Sequence, residues 1–250
     1  MNVAASSVML GLTAALFFGL SKTGVPGMSI LGVLVMMLAF PGAEKLSSGA
    51  VLPLLVAADI AAVRYYWRFA DWQRIRQLLP TVVIGLFLGT FFMRVINHAQ
   101  FEIFLAALIL TLVSFEQLRR WRNWNTFPKS RWFAWLMGLL CGFTTLVGNA
   151  AGPVMAVYAA SQNFDKHKFM GTFAVFFFMI NLTKLPLVGG AVPGLNLITA
   201  ETLWFNVMIF PGLLVGVVLG RRLFGIIPER YFVPCILILN LLVPIHIILF

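Results

Sequence analysis

Apolar positions follow one another in long runs along the 250-residue chain, and polar residues are confined to short interruptions between them. A helix needs about 20 apolar residues to cross the hydrocarbon core of a bilayer, with roughly 17–25 tolerated. By that length the pattern predicts ten helical segments, at about 3–20, 28–40, 47–66, 76–97, 99–117, 132–147, 151–162, 169–188, 199–222 and 230–249. The second and the seventh are too short to span alone. Each follows a polar, glycine-containing break, at 21–27 (Ser-Lys-Thr-Gly-Val-Pro-Gly) and at 144–153 (Thr-Thr-Leu-Val-Gly-Asn-Ala-Ala-Gly-Pro). The first run has no Lys or Arg ahead of it, so it reads as a membrane helix rather than a cleaved signal peptide.

The breaks recur because the pattern is duplicated. Pro80, Gly85 and Gly89 return with the same spacing as Pro211, Gly216 and Gly220, 131 positions on. Gly19 and Gly142 are related by an offset of 123, and Gly49 and Gly171 by 122; the extra Gly/Pro loop at 189–196 absorbs the change. Two repeats of five segments, 1–125 and 126–250, account for these matches. The Gly-xxx-Gly pairs themselves are expected to pack helices closely, within or between protomers, so a homodimer is an open expectation.

An odd number of segments per repeat requires the second to enter the membrane from the opposite side. Charge tests this. Fifteen of the 18 basic residues fall in loops after odd-numbered segments, and only Lys45, Arg94 and Lys184 lie on the other side. The positive-inside rule then places both termini outside the cytoplasm. The expected fold is an all-α integral membrane protein of two inverted repeats, each beginning with short or re-entrant broken helices. Non-helical backbone at membrane depth must line a cavity or be buried in protein. Two breaks entering from opposite faces would meet near the midplane, where transporters built on inverted repeats place their substrate.

Composition agrees. The chain is 61% hydrophobic and 10% charged, against about a quarter charged in soluble domains. A formal charge of +10 would suggest nucleic acid in a soluble protein; here the basic residues sit in short loops and point to topology and lipid headgroups. Cys141 and Cys235 lack metal or redox spacing, and His98, His167 and His246 are scattered, so neither a metal nor another cofactor is expected.

A helix starting at Gly27 or Met28, and another at Gly152 or Pro153, would present free N–H groups and the positive end of its dipole to an anion. Lys22, Thr23, Gly24, Thr144, Thr145 and Asn149 would surround it with positive charge, hydrogen-bond donors and room for close approach. The competing reading is that Gly and Pro only allow kinks and packing. Asp59 sits within an apolar run; its repeat mate is Asn181, and Lys184 follows Asn181 on the same helix face. Asp59 is either a coupling carboxylate or a salt-bridge partner of Arg64 or Arg68. Lys184 either joins the site or snorkels to the interface.

Gly19-Leu-Ser-Lys22-Thr-Gly24-Val-Pro-Gly27, Asp59 with Asp71-Trp72, Gly142-Phe-Thr-Thr, Asn149-Ala-Ala-Gly152-Pro153 with Tyr158, Gly171-Thr172-Phe-Ala174 and Asn181-Leu-Thr-Lys184-Leu-Pro186 resemble the sulfite exporter TauE/SafE family over nearly the whole chain. The resemblance implies a multi-pass transporter of the bacterial inner membrane. Its cargo would be small sulfur-containing anions such as sulfite or organosulfonates.

The function expected is therefore a secondary anion transporter, an exporter by the resemblance, working by alternating access. A passive anion channel is the alternative, since both want anion-friendly half-helices. No phosphate-binding loop of the Gly-x-x-x-x-Gly-Lys-Ser/Thr kind occurs, which argues against ATP as the driving force. An intramembrane enzyme would need a pair such as two aspartates or Ser with His in the spans, and Asp59 stands alone.

Overall fold

The computed structural model describes residues 5–122, 130–162 and 164–228. The tenth expected segment, with Cys235 and His246, lies outside them. Within the described residues the expected segments appear as helices: α1 (Ala5–Thr23), α2 (Met28–Leu38), α3 (Glu44–Ala50), α4 (Leu52–Tyr66), α5 (Trp72–Val95), α6 (His98–Trp121), α7 (Arg131–Gly148), α8 (Gly152–Gln162), α9 (Lys166–Val188) and α10 (Ala200–Ile226). Among the described residues six stretches are long and apolar enough to cross a membrane, one of them Lys45–Phe69, which combines α3, α4 and a following 3-10 turn. The chain is a multi-pass membrane protein. The third expected segment, 47–66, is divided at Val51. Pro53 lies in the first turn of α4 and has no N–H to continue the ladder from α3.

Polar residues mark where helices start. Asp71 accepts from Arg74 N at the start of α5, Asp165 from Lys168 N at α9, and Thr199 forms a capping box with Thr202 at α10. Phe87, Phe91, Trp204 and Val207 are exposed on the outer faces of α5 and α10, as a lipid-facing surface requires.

Glycines decide which helices pair. Gly212, Gly216 and Gly220 of α10 lie on Leu12, Leu16 and Leu20 of α1, and Gly138 and Gly142 of α7 lie on Leu78 and Val82 of α5. Both pairs run parallel. Gly85 and Gly89 also pack on α7, so the described Gly-xxx-Gly faces are used within the chain. A Cβ at Gly24 would overlap the Gly220 carbonyl, whereas one at Gly225 would meet no described atom within 4 Å. Gly24→Ala is therefore expected to cost at least ~3 kcal/mol, the upper end of ordinary overpacking, because backbone on both sides must move. Gly225→Ala should be neutral. Thermal melting in detergent distinguishes them; equal melting temperatures would contradict the packing described.

Contacts also fix the remaining directions. Lys22 and Thr23, at the end of α1, touch Asp59 and Tyr66 in the second half of α4, so those helices run parallel. α9 runs against α4, with Gly171 on the backbone of Tyr66 and Phe69 and Asn181 on Asp59. In segment order, α1·α10 joins one to nine and α5·α7 joins four to six. A five-segment repeat exchanges these two pairs. Segments three and eight, α4 and α9, are mates and pack antiparallel, as a twofold axis in the membrane plane would require. The packing is consistent with an inverted repeat.

Basic side chains gather at one end of this bundle. Lys168 Nζ lies 3.0 Å from Asp71 Oδ2, Lys166 Nζ donates to Phe224 O and Ile227 O at the end of α10, and Arg221 lies over the Tyr65 ring. Burial pushes the Asp71 carboxyl up, but Lys168 and the Arg74 N–H outweigh it and hold the group below the usual carboxylate range. At the opposite end Lys45 Nζ donates to Ile96 O at 2.9 Å.

Candidate functional site

The two breaks face one cavity. At the first, α1 closes with Gly24 N and Val25 N both donating to Leu20 O, and Gly27 then turns the chain with φ 104°, a left-handed conformation that favours glycine. Met28 N donates to Val25 O and Ile30 N to Gly27 O. Among the described residues, the Gly27 and Ser29 N–H groups are given no acceptor. At the second break Asn149 takes φ 53° as the cap of α7, where asparagine is the best tolerated residue after glycine. Met155 N donates to Ala151 O; among the described residues the Ala151, Gly152 and Val154 N–H groups are given no acceptor, and residue 153 is a proline.

A Cβ at Gly152 would come into ordinary contact with Ser29 Oγ, at 3.9 Å, so the starts of α2 and α8 face each other at the wall of one shared cavity. The cavity amounts to about 710 Å³ with the open solvent at its mouth included. Lys22, Gly27 and Ser29 line it from the first break, Thr145, Asn149 and Gly152 from the second, and Asn181 from α9. Apart from Ser21 its remaining wall is apolar, with Phe169, Phe173 and Phe177 along α9.

Behind the cavity lies a buried polar chain. Lys22 Nζ is 2.7 Å from Asp59 Oδ1 and 4.7 Å from the centre of the Phe177 ring. Asp59 Oδ2 accepts from Asn181 Nδ2 at 2.6 Å. Lys184 Nζ donates to Thr145 O at 2.6 Å, to Asn149 Oδ1 and, at 3.4 Å, to Asn181 Oδ1. Asn149 Nδ2 donates to Ser48 O at 2.9 Å. Because each amide nitrogen is committed to an acceptor, both amide oxygens must point at Lys184. With Thr145 Oγ1 at 3.3 Å, four acceptors surround Lys184 Nζ, more than the two N–H bonds of a neutral amine can serve. In the state with Lys184 as an ammonium and Asp59 as a carboxylate, Lys22, Asp59 and Lys184 together carry one excess positive charge.

The nominated residues divide in two. Lys22, Gly27, Thr145, Asn149, Gly152 and Asn181 line the cavity, while Asp59 and Lys184 stand directly behind it. Thr23, Gly24 and Thr144 are not brought to it. Thr23 Oγ1 donates to Gly19 O and Val217 O, both at 2.9 Å, Gly24 packs on Gly220, and Thr144 Oγ1 donates back to Leu140 O. Lys184 is 2% exposed and turned inward, so it does not snorkel. Asp59 pairs with Lys22 rather than Arg64 or Arg68. The sequence pattern does not single out Ser29, Ser48 or the phenylalanines of α9. For Ser29 a signal existed, since it sits in the first turn after the break.

Among the described residues no cluster of three or more His, Cys, Asp or Glu gathers to hold a metal. Neither a curated protein nor a solved structure matches the chain. A family model does: the one described as sulfite exporter TauE/SafE matches residues 8–247. With nearly its whole length matched, and with apolar helices arranged around a cavity that the two breaks border, the chain belongs to the sulfite exporter TauE/SafE family of membrane transporters.

Proposed function

We propose that the chain is a secondary transporter that exports small sulfur-containing anions, of the sulfite or organosulfonate class, across the bacterial inner membrane. The observation that carries this reading is the opposition of two helix starts, each with unused N–H groups, across a cavity backed by one excess positive charge. In this reading the N–H groups of Gly27, Ser29, Gly152 and Val154 bind the anion's oxygens. Lys22 supplies the nearest charge, while Ser29 and Thr145 offer hydroxyls. Asn149 and Asn181 hold Lys184 in place so that its charge is felt at the site. Thr23, Gly24 and Thr144 act by packing the breaks.

Repeats 1–125 and 126–250 rock about the site, with the basic face in the cytoplasm and both termini outside it. Asp59 is the coupling candidate: a proton on its carboxyl would cancel the attraction that holds Lys22. A transporter is favoured over a channel because the Asn149–Ser48 hydrogen bond lies directly beyond the cavity, where a channel would need open space.

Flux of sulfite and of methanesulfonate into proteoliposomes, measured against concentration, tests the proposal. Saturation for at least one of the two is expected. Flux that rises in proportion over the whole range would make the protein a channel, and no flux of either would overturn the anion assignment.

A further inference from the structure

A second, smaller cavity lies on the far side of Asn149, lined by Val33, Met36, Ser47, Ser48, Val51 and Phe101 together with Asn149 itself. It is on the side of the bundle away from the basic face: α3, which contributes Ser47 and Ser48, begins beside Lys45 and His98. Asn149 lines both cavities. What separates them is a small set of bonds. Asn149 Nδ2 donates to Ser48 O at 2.9 Å, Ser48 Oγ donates to Val147 O at 2.8 Å, and the fully buried Phe101 ring closes the side. The larger cavity, in contrast, follows α9 from Asn181 to Phe169, one turn from the helix start at the basic face.

The internal repeat turns this asymmetry into a second pair of residues. Ser48 precedes Gly49 as Met170 precedes Gly171, at the offset of 122, and the offset of 123 that relates Gly19 to Gly142 relates Pro26 to Asn149. Pro26 and Met170 both line the larger cavity. One pair of repeat mates is therefore joined across the path, and the equivalent pair borders open space.

We propose that Ser48 with Asn149, and Pro26 with Met170, are the two gates of the transport path, the first closed and the second open in this structure. This rests on the alternating-access reading above. Movement between states breaks the Ser48–Asn149 and Ser48–Val147 bonds, joins the two cavities, and brings residue 26 onto residue 170. Pro26 has no N–H and Met170 a flexible apolar side chain, so the gate toward the basic face closes by packing and the opposite one by hydrogen bonds.

The test uses full-length protein with Cys141→Ala and Cys235→Ala, in sealed vesicles, without substrate. Ser29→Cys reports entry of a membrane-impermeant maleimide to the larger cavity, and Arg222→Cys marks the basic face. Labelling of Ser29→Cys is expected from the basic face and much more slowly from the other. Adding Ser48→Ala removes only the bond to Val147 and should raise labelling from the opposite face about fivefold, the factor that one net hydrogen bond gives. In a second variant, Pro26→Cys with Met170→Cys, the same Ser48→Ala change should increase cross-linking by a short bis-maleimide.

Unchanged labelling in a variant that still elutes as folded protein would overturn the gate. A rise in labelling without a rise in cross-linking would overturn the coupled pair, because it describes a leak. Phe101→Ala is the second probe if Ser48→Ala does not fold, with the same outcomes expected. Labelling needs no knowledge of the cargo. Failure of the anion assignment would leave these results intact, and saturable flux without gating changes would leave that assignment standing.

Discussion

Lys22→Ala should abolish anion flux and also weaken the fold, by about 3–5 kcal/mol, the range measured when one partner of a buried ion pair is removed. The reason is Asp59, which is fully buried and among the described residues keeps only Asn181 as a direct hydrogen-bond partner once Lys22 is gone. Loss of transport in the single variant would thus not separate binding from folding. The double variant Lys22→Ala/Asp59→Asn does. An asparagine at 59 still accepts from Asn181 Nδ2 and strands no carboxylate, and the cluster keeps the net charge of the parent through Lys184, so most of the lost stability should return. Flux should not, because the cation nearest the site is still absent. Melting temperature in detergent and flux in proteoliposomes form the two readouts of this cycle. Recovery of flux in the double variant would reduce Lys22 to a structural neutraliser of Asp59.

Lys184→Met carries the second large effect. It keeps the length of the side chain and deletes the charge, leaving Asn149 Oδ1 and Asn181 Oδ1 without their donor, while Thr145 O keeps the Asn149 N–H. Each orphaned acceptor costs about 1–3 kcal/mol. The excess positive charge also disappears. A unit charge acting over about 8 Å at an effective dielectric of about 20 contributes ~2 kcal/mol, which corresponds to roughly a 30-fold loss in anion affinity. Isothermal titration with sulfite at low and high ionic strength reads the second effect apart from the first. Affinity equal to that of the parent protein would mean that Lys184 serves only to hold the second break together.

Fold and site are unequally legible in the chain. Segment lengths, the two breaks and the repeat are carried by residue types whose backbone chemistry is local: Gly27 at a positive φ, Asn149 as a left-handed cap, Pro53 at a helix start. Such signals survive in any solvent. Side-chain direction does not, because lipid tails are as apolar as a protein core and the amphipathic period of a soluble helix is lost. α9 shows this. Phe169, Phe173 and Phe176 are all buried, the helix is apolar around most of its circumference, and nothing in its pattern marks which face meets the cavity.

Hydroxyls were misleading for a related reason. Thr23 and Thr144 sit in a polar break, but each hydroxyl is spent on a carbonyl of the preceding helical turn. Lys184 near a helix end admitted two opposite directions, and only the acceptors supplied by a distant helix, Thr145 O and Asn149 Oδ1, select the inward one. Ser48 became visible only when α3 was brought against Val147.

The central claim is that an anion sits between the starts of α2 and α8. It is tested most directly by crystallising the protein with 2-bromoethanesulfonate and locating bromine by anomalous scattering. The account predicts one peak in the larger cavity, with the sulfonate oxygens within hydrogen-bond reach of the Ser29 and Val154 N–H groups and of Lys22 Nζ. A peak elsewhere, with that cavity empty at saturating ligand, would contradict it.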